Sequence, residues 1–314
     1  MTSEVVAIGE PLLEFNACEP GSLREVKSYT VGYGGDTSNF CIAARRLGVA
    51  CAYVTRLGDD EFGRIFLDLY TREGVDTSHI VIEPNGFTGI YFISRKGVTH
   101  SFTYYRGGSA ASHLSPNDIP IELIKNAKIL HTSGITQAIS NSACDAAFYA
   151  MDVAKRAGVI VTYDPNIRLR LWSANRARGI VREAIRLADF VFPSLEDAKI
   201  LSDKTNPQAI AEELLALGPK AIIIKLGEAG ALLATPSEVK IFPPFKVRVV
   251  DTTGAGDTFD GAFVSAYLRD WSLSDCVIFA NAAAALSTTK TGAVEGIPKF
   301  KDVEEFLKQQ SAIQ

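Results

Sequence analysis

Short β-branched runs alternate with helical stretches along most of this chain, which leaves few folds open to it. Residues 5–8, 52–55, 128–131, 159–163, 190–192 and 221–225 read as buried strands. Helical patterns over 38–47, 61–73, 144–157, 174–187 and 207–217 separate them, and several stop at a glycine (Gly48, Gly74, Gly158, Gly218), the residue that caps a helix most cheaply. This repetition predicts a three-layer α/β/α fold around a doubly wound, mostly parallel sheet, with a cleft at the carboxyl ends of its strands. Segments 12–33 and 87–106 break the rhythm: they have no helical period but alternate apolar and polar residues. Residues 89–94 and 101–105, joined through Arg95-Lys96-Gly97, predict a hairpin. Together the two segments predict a small antiparallel β lid, inserted into a single domain spanning 1–314, that covers the cleft and pairs with a second copy. A sheet extension with no role in the cleft is the alternative.

The chemistry concentrates at Asp251-Thr252-Thr253-Gly254-Ala255-Gly256-Asp257, between Val249-Val250 and a helix whose apolar stripe runs Phe259, Ala262, Phe263, Ala266, Tyr267. The spacing predicts that an extended segment turns into a helix at the glycines. Backbone N–H groups at such a point lack intrahelical acceptors and favour an anion. An aspartate there suits a base that takes a proton from a hydroxyl as it attacks phosphorus. An acidic helix start after a glycine turn is the plainer reading.

Other segments fall just after predicted strands or open helices. Gly34-Gly35 brings backbone close to a ligand and Asn39 projects an amide, although capping alone accounts for Asp36, Thr37 and Ser38. Asp164-Pro165-Asn166, with Arg168, projects polar groups past a strand end, and Arg168 offers a fork for carboxylate or phosphate. Tyr104-Tyr105-Arg106 pairs phenols with a second cation. Lys225, Gly227 and Gly230 form a sharp turn suited to a nucleotide, or simply a turn between strands; Asn281 lies in an alanine-rich helix that packs by default or receives a flat base.

Composition narrows the rest. A net charge of −4 argues against a general nucleic-acid binder. No run approaches the ~20 apolar residues of a membrane span, and the start, Met1-Thr2-Ser3-Glu4, lacks the basic region of a secretory signal. The five cysteines are scattered, consistent with reduced thiols in the cytoplasm, and the four histidines have no zinc-site spacing.

The combination of Asp251–Asp257 with Gly34-Gly35, Asn39 and Gly48 resembles the ribokinase-like, or PfkB, family of sugar kinases over essentially the whole length. Within that family the chain is most similar to members acting on 2-keto-3-deoxygluconate. The resemblance implies transfer of the γ-phosphoryl of ATP, with Mg2+, to the 6-hydroxyl of that sugar acid. It implies Asp257 as the base, with Gly254, Ala255 and Gly256 as the anion hole. It places Gly34, Gly35, Asn39, Tyr91, Tyr104, Arg106 and Arg168 on the sugar acid. Asn166, Ser194, Lys225, Gly227, Gly230 and Asn281 would serve the nucleotide. Asp251 and Thr253 are implied as holding a monovalent cation such as K+. The family's Asn-x-x-Glu segment stands here as Ser194-Leu195-Glu196-Asp197, with Asp197 reaching magnesium through water. The expected partners are the sugar acid, ATP and a second copy of the chain through the lid, or a larger assembly of such dimers. The loop from Asp164 to Arg168, followed by Leu171-Trp172, also resembles fructokinases. A non-catalytic sugar or nucleotide sensor is the alternative of another class.

Overall fold

The computed structural model describes residues 3–96 and 99–311. The strands are β1 (Val5–Ile8), β2 (Leu12–Ala17), β3 (Tyr29–Gly34), β4 (Cys51–Gly58), β5 (Ile80–Glu83), β6 (Ile90–Lys96), β7 (Thr99–Tyr105), β8 (Ile129–Ser133), β9 (Ile160–Asp164), β10 (Phe190–Val191), β11 (Ala221–Lys225), β12 (Ala231–Ala234) and β13 (Val239–Phe242). Nine of them form one sheet in the order β13-β12-β11-β10-β9-β8-β1-β4-β5. Every pair from β11 to β5 is parallel; β12 and β13 are antiparallel.

Alternating side chains of these strands feed helices on both faces. Val6, Ile8, Val161 and Ile222 pack with helices Asn141–Arg156, Ala174–Leu187 and Pro207–Leu215. Val5, Ala7 and Tyr53 on the other face meet helices Asp36–Arg46 and Glu61–Glu73. Phe190 and Ile223 meet helices Ala255–Tyr267 and Leu273–Ser287. The predicted layers and cleft-forming sheet are therefore present. From β1 the sheet extends to β4 on one side and to β8 on the other. That reversal of strand order places the crevice past the ends of β1 and β8.

The lid differs in one respect from the expectation. Its four strands run β3-β2-β6-β7, and β2 pairs with β6 in parallel, Leu13 opposite Ile90. The lid is thus a mixed sheet and not an antiparallel one, because after β3 the chain travels through β4, β5 and two helices before returning beside β2. The β6–β7 hairpin forms as predicted, with Tyr91 opposite Tyr104; Gly97, assigned to its turn, lies outside the described residues. Val249 and Val250 lie outside the strands and lead into the helix, with the Val250 N–H bonded to the Thr288 carbonyl (2.8 Å), and both are more than half exposed.

Candidate active site

A cleft of about 1080 Å³ opens between the carboxyl ends of the large sheet and the inner face of the lid. Lid residues Leu12, Tyr91, Phe102 and Tyr104 wall one side; Asp164, Asn166, Arg168, Ser194 and Lys225 follow strand ends on the other. Gly254, Gly256 and Asp257 close it from the start of helix Ala255–Tyr267.

Gly254 caps that helix with φ +75°, a backbone state strained for any residue with a Cβ. The turn leaves the first N–H groups of the helix unequal. Ala255 N–H bonds back to the Thr252 carbonyl (3.2 Å), whereas those of Gly254, Gly256 and Asp257 have no acceptor among the described residues. These three free amides form a nest at the cleft, while Ala255, expected from sequence among the donors, has its amide engaged and does not line the cleft.

Asp257 stands beside this nest. Helices Asp36–Arg46 and Ala255–Tyr267 cross closely at Gly261, where a Cβ would come within 2.7 Å of Ala43 Cβ. That approach lets Asn39 Nδ2 donate to Asp257 Oδ2 at 2.8 Å. The carboxyl is reachable from the cleft but ringed by protein. Loss of water, and next the charge of Asp36, push its pKa up to about 7, against the stabilising Asn39 amide and Lys225. A carboxylate poised there can accept a proton near neutral pH.

A polar network continues beneath it. Lys225 Nζ lies 2.8 Å from Asp164 Oδ2 and 3.1 Å from Asp260 Oδ1. Asn166, held at φ +36° after Pro165, donates to Asp36 Oδ2 at 2.9 Å. Burial pushes the carboxyls of Asp36 and Asp260 up from the ordinary range. On the lid side, Gly34 leaves room for the Tyr91 ring, whose hydroxyl donates to buried Glu14 (2.5 Å), and Tyr91 stacks on Tyr104. The Arg106 guanidinium pairs with Glu10, a fully buried carboxylate just past β1. Arg168, in contrast, bonds only to the Ile167 carbonyl (3.2 Å) and has no carboxylate partner among the described residues.

The pattern of the pfkB family carbohydrate kinase matches residues 2–299. The chain is 37% identical over 309 residues to a 2-dehydro-3-deoxygluconokinase of Thermoproteus tenax, covering 97% of this chain and 94% of that one. It is 35% identical to a probable fructokinase-2 of Arabidopsis thaliana, covering 98% and 96%. A putative ribokinase II of E. coli, solved in complex with ATP and Mg2+, superposes with a TM-score of 0.92 at 28% identity, covering 98% of this chain and 99% of that one. The chain belongs to the PfkB family of carbohydrate kinases. It is a phosphotransferase.

In this PfkB kinase most residues singled out from the sequence converge on one cleft: Gly34, Gly35, Asn39, Tyr91, Tyr104, Arg106, Asn166, Arg168, Ser194, Asp197, Lys225, Gly227, Thr253, Gly254, Gly256 and Asp257 all line it. Besides Ala255, three others do not. Gly230 (φ +92°) packs so tightly that a Cβ would fall 2.0 Å from the Phe242 carbonyl, so the sheet edge accounts for its being glycine. Asn281 donates to the Pro243 carbonyl at 3.4 Å. Asp251 clamps its own loop, accepting from Thr253 Oγ1 (2.7 Å) and from Gly292 N–H (2.9 Å). Asp197 forms a capping box with Ser194 and also accepts from Ile167 N–H (2.8 Å), so both its oxygens are engaged.

Glu10, Asp36, Asp164 and Asp260 carry more of the electrostatics than their sequence context suggested. Asp260 had a legible signal, since it is a charged residue inside a helix whose neighbours Phe259 and Ala262 are core. Glu10 followed a buried strand in Gly9-Glu10-Pro11, as functional residues of such sheets do.

Proposed function

We propose that this kinase transfers the γ-phosphoryl group of ATP to the 6-hydroxyl of 2-keto-3-deoxygluconate. Arg168 is the observation that carries the choice of a sugar acid. It lines the cleft without a carboxylate partner among the described residues, and its planar fork matches a substrate carboxylate. The Thermoproteus tenax relative supports the same substrate. Arg106 contributes less charge than the sequence suggested, because Glu10 offsets it. Tyr91, Tyr104, Gly34, Gly35 and Asn39 would line the sugar, and Asn166, Ser194 and Gly227 the nucleotide.

Asp257 takes the proton of the attacking hydroxyl, and the free N–H groups of Gly254, Gly256 and Asp257 stabilise charge on the transferred phosphoryl oxygens. The lid excludes water and so limits wasteful hydrolysis of ATP. Among the described residues no three His, Cys, Asp or Glu side chains form a metal cage. The two carboxylates at the cleft, Glu196 and Asp197, suit magnesium, which keeps several waters and is commonly held by phosphates with one or two carboxylates. Exposed Glu196 lines the cleft and Asp197 would act through water, the bound ion supplying neutralisation of phosphate charge. A potassium ion would sit near Asp251 and Thr253, and exchanging K+ for Na+ in the assay tests for it.

Fructose is the second reading, favoured by the Glu10–Arg106 neutralisation and by the plant relative. A coupled ADP-release assay over 2-keto-3-deoxygluconate, its galacto epimer, fructose and ribose decides between them. The sugar acid should have the highest kcat/KM, and Arg168→Ala should raise its KM at least ~10-fold while leaving fructose little changed, as loss of a charge-assisted bidentate contact implies. A preference for fructose, or an equal effect on both sugars, removes the sugar-acid assignment.

We also infer a homodimer through the outer lid face. Val31 and Tyr105 are more than half exposed there, around a Phe15–Phe92 stack with Tyr29 against its edge. No helix among the described residues is long and apolar enough to cross a membrane.

A further inference from the structure

Asp260 is a carboxylate in a place that ordinarily holds hydrocarbon. It lies three residues beyond Asp257 on helix Ala255–Tyr267, hence on much the same face, and it is 1% exposed among core residues Phe259, Ala262 and Phe263. A buried carboxylate is costly unless its charge is met. The Lys225 ammonium meets it, 3.1 and 3.3 Å from its two oxygens. The same ammonium lies 2.8 Å from Asp164. Among the described residues no other lysine or arginine bonds to either aspartate. Lys225 sits close under the anion nest: a Cβ on Gly256 would stand 3.3 Å from Nζ. Asp257 also feels this cation. One lysine therefore faces three carboxyl groups, and the negative potential of Asp164 and Asp260 opposes at Asp257 the positive potential of the lysine.

We propose that Asp260 is a positioning residue of the phosphotransfer: with Asp164 it clamps the Lys225 ammonium beneath Gly256 and takes up part of its charge, so that Asp257 keeps its affinity for the hydroxyl proton. The inference rests on Asp257 being the base. The charged and titratable groups around the pair are Asp36 from helix Asp36–Arg46, Asp164 from β9, Lys225 from β11 and Tyr91 from β6. His131 of β8 faces Asp164 and Lys225, but burial holds it neutral, with a pKa near 3, so it adds no charge in the working range.

The test is the pH profile of kcat for wild type, Asp260→Asn and Lys225→Met. Asp260→Asn is isosteric but cannot ionise, so the negative potential that opposes the lysine at Asp257 is removed. The acid limb should move to lower pH by roughly 0.5–1 unit, the scale of a neighbouring-charge effect in a partly wet site. Lys225→Met removes the cation and should move the limb upward. A purely structural role for Asp260 would lower activity or stability without displacing the limb. Should Asp260→Asn fail to fold, Asp260→Ser carries the same expected direction. An acid limb left in place or moved upward by the Asp260 change, or moved downward or unmoved by Lys225→Met, overturns the proposal. Full turnover in Asp257→Asn would remove the base assignment instead, and this proposal with it.

Discussion

Replacing Asn39 by alanine isolates what holds the proposed base in its ionised form. The Asn39 amide donates to Asp257 Oδ2 at 2.8 Å, and an N–H donor can stabilise only the anion. A hydrogen bond to a charged group contributes ~1.5–3 kcal/mol, equivalent to roughly 1–2 pKa units at 1.36 kcal/mol per unit. Water entering from the cleft will recover some of this, so a rise of ~1 unit from the wild-type value of about 7 is expected. At pH 7 the ionised fraction then falls from about one half to about one tenth, and kcat should fall roughly fivefold. By pH 9 both proteins are almost fully ionised and the difference should close. Asn39 Oδ1 is buried and accepts from no donor among the described residues, so the truncation leaves no donor newly stranded and acts only through the bond to Asp257. The assay is the acid limb of kcat at saturating sugar and ATP. If Asn39→Ala raises only KM and leaves the limb in place, Asn39 binds sugar without tuning Asp257, and the electrostatic reasoning is wrong.

Gly254→Ala forces a Cβ to 2.9 Å from Ala293 Cβ at φ +75°, so denaturant titration should show a loss of ~1–3 kcal/mol. Its displaced nest should also cost at least ~10-fold in kcat. Val31→Arg, on the half-exposed outer lid face, should convert a dimer to a monomer in light scattering while preserving the melting transition of the core; an unchanged mass would place the interface elsewhere. Asp257→Asn should abolish most turnover, by ~10²–10⁴-fold, yet stabilise the fold at pH 8 by roughly 2–4 kcal/mol. The sign follows from a folded pKa raised from 3.8 to about 7: the group favours the native state at low pH and loses that contribution as pH rises through the folded value. A variant no more stable than wild type at pH 8 would contradict the burial of that charge.

Local rules made the large sheet readable. Val5–Ile8 and Ala221–Lys225 announce themselves as apolar runs, and helix Glu61–Glu73 has both an Asp60 N-cap and a left-handed Gly74 behind it. The β2–β6 pairing was not readable, because parallel register is set by where two distant strands arrive and not by either strand alone. The same reason separates the two arginines. Both looked like free cations in sequence, but Arg106 finds Glu10 across 96 residues, whereas Arg168 finds no acid among the described residues. Lys225 is the same kind of case. Its position after a strand marked it for the cleft, yet nothing near it in sequence foretold Asp164 and Asp260 as its partners.

Those partners explain how the site tolerates the ionisation that the chemistry needs. Surface carboxylates such as Glu73, held below the ordinary range by its hydrogen bond to Arg46, support the native state above that range and lose the contribution as pH falls. Asp36, Asp257 and Asp260 have the opposite sign: burial raises them, and their contribution is lost as pH rises. The role proposed for Asp257 requires it ionised, in the upper part of the range where this loss is greatest. The groups that fix the base therefore need to hold their geometry through the titration. Neutral amides meet that requirement: Asn39 holds Asp257 and Asn166 holds Asp36, and neither changes charge at any working pH. Lys225 meets it differently, because its two aspartates keep the ammonium protonated well beyond the range in which Asp257 titrates. Asp257 is thus fixed by donors that do not titrate with it, so its geometry holds as its charge changes.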